Sequence, residues 1–312
     1  MTDSALVLLA AYNGASYIEE QLDTIFRSKC SSEFSVVVGL DPSTDNTQLL
    51  LSSYKHTLKV LSHQTPSGSA SQNFSRLMAY AREQDGSYYF LCDQDDYWFD
   101  DKIQLGLENI KRMEGLYGDN VPLLLFTDAQ VVRQDLSLIS PSFWQYEGLD
   151  VSISASYRNL VVQNVGQGCT FVFNRALLNK VGEIPLDVRM HDHWIMLVAS
   201  VFGRIEYLAR PTLQYRQHEK NVIGSQGSGL SAAVGRVLFR RAEILSALAA
   251  SQRQASMFVD KYGAELKEAQ LEFFKSFSTL SGRNFLHRKY FCAIHSMRMA
   301  SFYRTIGFYL FI

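Results

Sequence analysis

Apolar residues recur along this chain with two periods, and the alternation between them predicts its architecture. ALVLLAAY (5–12) is apolar almost throughout, as a strand covered on both faces must be, and YIEEQLDTIF (17–26) follows with Ile18, Leu22, Ile25 and Phe26 at helical spacing. FSVVVGL (34–40) predicts a second strand, DPSTDNT a turn that caps a helix near 48–54, and LKVLSH (58–63) a third strand. SQNFSRLMAYAREQ (71–84) reads as the next helix and SYYFLC (87–92) as the strand after it, with LLLFTDAQVV (123–132) and CTFVFN (169–174) as later strands. Such β-α alternation predicts an α/β fold: a mostly parallel, doubly wound sheet with helices on both faces, taking its ligands beyond the carboxyl ends of the strands. Asn13, Asp41 and Asp93 fall at three of those ends.

The texture changes after SQGSGLSAAVG (225–235), a Gly/Ser-rich stretch that reads as a linker. Two regions are therefore expected, a sheet domain over 1–224 and a helical region over 225–312. From Phe273 to Ile312 there is no Asp or Glu, while Lys275, Arg283, Arg288, Lys289, Arg298 and Arg304 interleave with aromatic and aliphatic residues. That pattern suits peripheral contact with the inner surface of an anionic membrane, and it equally suits a helical hairpin packed on the domain with its cations in water.

Charge and cysteine content narrow the function. A formal net charge of −1 argues against a nucleic-acid partner, which calls for a basic excess. Cys30, Cys92, Cys169 and Cys292 lie far apart with no C-x-x-C pair, as free thiols in a reducing compartment would. No basic n-region opens the chain and no apolar run reaches the ~18–20 residues of a membrane span, so a cytoplasmic location is expected.

LCDQDDYW (91–98) then sets three carboxylates, Asp93, Asp95 and Asp96, directly after a buried strand. An acidic turn of this kind is either a solvated surface feature or a site for positive charge. A hard cation such as Mg2+ or Mn2+ takes oxygen ligands and is commonly held by one or two carboxylates plus a substrate's phosphates. Asp93 and Asp95 are the candidate ligands, with Asp96 in reserve.

Taken in order, LLAAYNGASYIEEQLDTI, DPSTDNT, LCDQDDYW, FTDAQVV, MHDHW and YRQHEKNVIG resemble the family 2 inverting glycosyltransferases of the GT-A fold, especially rhamnosyltransferase-like members, over about residues 5 to 224. The resemblance implies that Ala11, Tyr12 and Asn13 border a nucleotide, together with Asp41, Asn73 and Asp93. Asp41 stands in Leu40-Asp41-Pro42-Ser43, where the family usually carries Asp-Asp-Gly-Ser. It further implies a metal at Asp93 and Asp95 with His218 reaching the diphosphate or the ion, and Asp192 as the base that deprotonates an acceptor hydroxyl. Trp98, Gly168, His191 and Arg216 would lie toward substrate, although each also has a purely structural reading. The implied donor is a nucleotide-diphospho-sugar, dTDP-rhamnose or a UDP-sugar, and the implied acceptor a glycan or lipid-linked hydroxyl of a bacterial surface polysaccharide such as O-antigen or capsule. Two rivals stand beside this: a nucleotidyltransferase, disfavoured because AAYNGAS lacks the basic residue of a phosphate loop, and a non-catalytic scaffold of the same fold.

Overall fold

The computed structural model describes residues 4–54, 56–217 and 241–312. The expected elements form with ends displaced by a residue or two: β1 (Ala5–Ala11), α1 (Ile18–Phe26), β2 (Phe34–Leu40), α2 (Thr47–Ser53), β3 (Lys59–Ser62), α3 (Ala70–Arg82) and β4 (Tyr88–Asp93). There follow β5 (Tyr97–Trp98), α4 (Lys102–Tyr117), β6 (Leu123–Val132), β7 (Leu138–Ser140), α5 (Phe143–Glu147), α6 (Tyr157–Leu160), β8 (Phe171–Asn174), α7 (Arg175–Val181), α8 (His191–Phe202) and β9 (Arg204–Arg216). Four helices complete the described chain, α9 (Arg241–Tyr262), α10 (Glu268–Ser278), α11 (Phe285–Ile294) and α12 (Phe302–Phe311). The Gly/Ser-rich stretch that suggested a boundary lies outside the described residues.

One sheet runs β3-β2-β1-β4-β8-β6-β9-β5, with β7 paired to β6. Its first half is parallel, β1 lying between β2 and β4. Its second half corrects the expectation of a mostly parallel sheet: β8 runs antiparallel to both β4 and β6, β5 runs antiparallel to β9, and only β6 and β9 are parallel there. Apolar periodicity reports burial, and burial is the same for a central strand of either direction.

Register decides where the chemistry can sit. Ala11 is level with Leu40 on one side, and Ala10 with Asp93 on the other. The residues that follow β1, β2 and β4 therefore emerge at one rim, where parallel strands open a crevice. Beneath it the core is continuous from β1 through the C-terminal helices. In particular, Trp194 of α8 packs on Phe258 and Tyr262 of α9, and the Tyr262 hydroxyl donates to the carbonyl of Val181 at 3.1 Å. Helices α9 and α10 are thus part of the body that supports the sheet.

Candidate active site

Two turns interlock at the strand ends. Asn13 adopts φ 48°, a left-handed conformation that Asn tolerates better than most side chains, and its Oδ1 accepts from the Thr44 N–H at 2.8 Å. Gly14 N–H donates to Thr47 Oγ1 at 2.8 Å and Ala15 N–H to Asp45 Oδ2 at 3.1 Å, so the loop after β1 is bound to the loop after β2. Ala11 is buried beneath them, whereas the Tyr12 ring is exposed. The Tyr12 backbone is clasped by the Gln94 amide, which accepts from its N–H and donates to its carbonyl, both at 2.9 Å. Gln94, passed over in the sequence because an amide inside an acidic run draws no attention, is therefore the link between the first loop and the acidic turn.

Asp41 is buried, and its carboxylate accepts from the Ser67 N–H and hydroxyl, with an Arg76 guanidinium nitrogen 3.8 Å away. Part of its capacity is thus spent holding the loop before α3. Asn73 is buried too, and donates to the Gly39 carbonyl at 2.8 Å. A Cβ on Gly39 would come within 2.2 Å of its Oδ1, so the asparagine is fitted against the β2 backbone rather than held out toward the cleft.

The acidic turn divides its three carboxylates. Asp93 is half-buried at the end of β4, and Asp96 is buried. One oxygen of each lies within 4.8 Å of the other and of the Cys169 Sγ. Asp95, by contrast, acts on this pair through its charge. Burial, and then the carboxylates of Asp96, Asp95 and Asp192, push the Asp93 pKa well above the ordinary carboxylate range. Asp96 is pushed to about 7, by burial and then by Asp95, against hydrogen bonds from Cys169 and the Arg216 N–H. Its Oδ2 is buried without a hydrogen-bond partner. Cys169 and Cys92 stay protonated, since burial and the neighbouring carboxylates raise both thiols well above their usual value. The carboxylates thus oppose one another's ionisation, with Lys102 the cation that acts on Asp96. Two carboxylates with one orphaned oxygen suit a divalent cation in chemistry and number, leaving room for phosphate oxygens and water.

Lys102 and Arg216 support the turn from behind. The Lys102 ammonium is buried 4.7 Å from the Trp98 ring centroid and 3.2 Å from Thr212 Oγ1, and burial lowers its pKa to about 8. Trp98, expected toward substrate, is completely enclosed and offers no surface to a ligand. The Arg216 guanidinium donates to the Asp95 carbonyl at 3.0 Å and forms an ion pair with Glu20, and it lies over the Tyr17 ring. Its role is to clamp the acidic turn to β9 and α1. Removing it in Arg216→Ala is expected to cost about 2 kcal/mol in chemical denaturation, because a buried guanidinium that joins Glu20 to the Asp95 carbonyl is lost. His218 lies outside the described residues.

Asp192 lies in the first turn of α8, close enough for its charge to act on Asp93. Its Oδ1 accepts from the His193 N–H at 2.6 Å, and the Gly168 N–H and the Asn164 side chain also hold the carboxylate. These bonds and the helix N-terminus favour its charge, yet burial dominates and lifts its pKa to about 6. The flanking histidines face away into the protein. His193 Nε2 pairs with the Leu160 carbonyl, and His191 stacks on Phe74 with ring centroids 4.1 Å apart. Burial lowers both to about 3, so both are neutral. Gly168 is where the chain must lack a side chain: a Cβ there would meet His191 Nε2 at 2.6 Å. Asn164 went unnoticed in the sequence, where the glycine-containing run NVGQG reads as a turn before a strand.

Residues 6–145 match the family model described as glycosyl transferase family 2. The chain is similar to the dTDP-rhamnosyl transferase RfbG of Shigella flexneri, 28% identical over 229 residues that cover 70% of this chain and 74% of that one. It is also similar to an uncharacterized glycosyltransferase of Rickettsia typhi, 21% identical over 65% of this chain and 62% of the relative. Among solved structures, S. aureus TarS 1–349 in complex with UDP-GlcNAc superposes with TM-score 0.57 at 18% identity, covering 89% of this chain and 71% of TarS. The mannosyltransferase PcManGT from Pyrobaculum calidifontis in complex with GDP-Man and Mn2+ superposes with TM-score 0.52 at 16% identity, covering 94% and 72%.

Proposed function

We propose that this chain, which belongs to glycosyl transferase family 2 and is a glycosyltransferase, moves L-rhamnose from dTDP-L-rhamnose to a hydroxyl of a glycan or lipid-linked acceptor, with inversion at the anomeric carbon. The observation that supports the reading is a group of close carboxylates at the end of β4 that feels the charge of the Asp192 carboxylate at the start of α8. The first suits a cation-bound diphosphate and the second suits a general base. The donor sugar rests on the likeness to RfbG.

In this mechanism the interlocked loops after β1 and β2, with Asn13 and Asp41, seat the nucleoside. Asp93 and Asp96, with Asp95 alongside, would hold Mg2+ or Mn2+. Such an ion neutralises charge that builds on a diphosphate leaving group. Asp192, kept oriented by Gly168, Asn164 and the His193 N–H, accepts the proton of the acceptor hydroxyl as that oxygen bonds to the anomeric carbon. The bond from the anomeric carbon to the diphosphate breaks on the opposite face, and the nucleoside diphosphate departs with the electron pair. A lipid-linked acceptor would place this reaction in the cytoplasm at the inner face of the membrane, as a step in building a surface polysaccharide.

The test is thermal unfolding of the purified protein with dTDP, UDP and GDP, each with and without Mn2+. A native-state ligand at 100 times its Kd adds about 2.7 kcal/mol, or roughly 4 °C in a chain of this size. A shift with dTDP that needs Mn2+ is the expected result. A shift with UDP or GDP instead would reassign the donor, and none with any of the three would remove the transferase reading.

A further inference from the structure

The last two described helices leave an apolar surface that no other described residue covers. Sixteen large hydrophobic side chains are exposed among the described residues, and eight of them lie between Phe285 and Leu310. They are ordered. Leu286, Tyr290 and Ile294 recur every fourth residue along α11, while Phe291 and Cys292 on its other side are buried. Phe302, Ile306 and Leu310 repeat the same spacing along α12, while Gly307 and Phe308 face inward. Lys289 joins the helices, its ammonium donating to the carbonyls of Tyr309 and Ile312 at the end of α12, so the two stripes belong to one end of the molecule. Leu286 and Phe302 are 77% and 74% exposed, an outlay of apolar surface that a domain of this size does not make without an occupant.

Charge identifies the occupant. The same stretch, 273–312, carries six of the thirty cations of the chain and none of its thirty-one acids. Arg298 and Arg304 turn inward to Asp150 and Glu147 and fasten the helices to the body. Arg283 and His287 remain exposed at the start of α11, beside the apolar stripe. A second copy of this chain would offer these cations no acid from the same stretch, since 273–312 carries none. No described helix is long and apolar enough to cross a membrane. An amphipathic surface with a basic edge is instead suited to lie in the headgroup layer. We propose that α11 and α12 form a docking face for an anionic lipid bilayer, with the apolar stripes entering the acyl boundary and the basic residues contacting lipid phosphates. This deepens the membrane-face part of the proposed function, and its test reads lipid binding separately from sugar transfer.

The full chain is sedimented with vesicles of phosphatidylcholine alone and with vesicles containing roughly one third phosphatidylglycerol. It is expected to pellet with the anionic vesicles, and less as salt is added. The double variant Leu286→Ser/Phe302→Ser removes side chains that are mostly exposed, so its thermal unfolding and its nucleotide-induced stabilisation should match those of the parent, while vesicle binding falls at least about tenfold. Arg283→Glu should lower binding to anionic vesicles and leave binding to neutral ones unchanged. Failure of the parent to pellet with anionic vesicles, or undiminished binding by the double variant, would overturn the proposal. So would a concentration-dependent dimer of the parent that the double variant abolishes, since the occupant would then be a second copy. If nucleotide stabilisation persists while vesicle binding fails, only the docking face is refuted and the transferase reading stands.

Discussion

Asp192→Asn is expected to lower kcat by about 10² to 10⁴ while leaving the nucleoside diphosphate bound as tightly as in the parent. Asparagine keeps the shape of the side chain and can still accept from the His193 and Gly168 N–H groups, so neither the turn nor the start of α8 should shift. What it cannot do is take a proton. The two readouts separate chemistry from binding: initial rates of sugar transfer report the first, and nucleotide-induced thermal stabilisation the second. The pH profile adds a further check. Asp192 has a pKa of about 6 and must be ionised to act as base, so kcat/KM should rise with pH through about 6 and level off above it. A variant that transfers sugar at the parental rate would remove the base assignment.

The second large effect concerns the acidic turn, and it runs in opposite directions with and without metal. Asp96→Asn is expected to make the metal-free protein more stable by about 1 to 4 kcal/mol, because a buried charge beside other carboxylates is removed. The same change should abolish stabilisation by a nucleoside diphosphate with Mn2+. The pH dependence follows from the shifts. Asp96 titrates near 7 in the fold and near 3.9 when unfolded, so the unfolded chain releases its proton first, and stability from this group is lost as pH rises from about 4 through 7. His191 and His193 oppose this at lower pH. They titrate near 3 in the fold, so they destabilise as pH falls below about 6.5. The histidines titrate alike in the parent and in Asp96→Asn, so the difference between the two proteins isolates Asp96 from about pH 4 through 7. In denaturant unfolding without metal, the stability advantage of Asp96→Asn over the parent should grow as pH rises from about 4 through 7, and Mn2+ should reduce it by stabilising the parent. If Asp95→Asn reproduced both effects and Asp96→Asn neither, the ligand pair would be the one that spacing alone suggests.

That contrast shows how far the amino-acid order carries. Asp93 and Asp95 are two apart, and alternation along an extended chain would turn both to the same side. The chain, however, turns at Gln94 and Asp95, and this brings Asp96 beside Asp93 and Cys169. Likewise Cys169 looked like an isolated thiol because its neighbour in space, Asp96, is remote in sequence. Trp98 and Arg216 were legible as residues near the site but not as supports. Their roles depend on β9 returning beside β5, a pairing of strands far apart in the chain.

By itself the sequence determined the elements through β4 and the rim at which β1, β2 and β4 end. Each of these follows from local periodicity, or from motifs contained within a few residues. The tertiary structure alone decided the directions of β5 and β8, the substitution of Asp96 for Asp95 in the close carboxylate group, and the inward turn of Asn73, His191 and Arg216. Those depend on which distant segments meet, because burial and unlike partners, not spacing, set where a polar side chain points and whether it holds its proton.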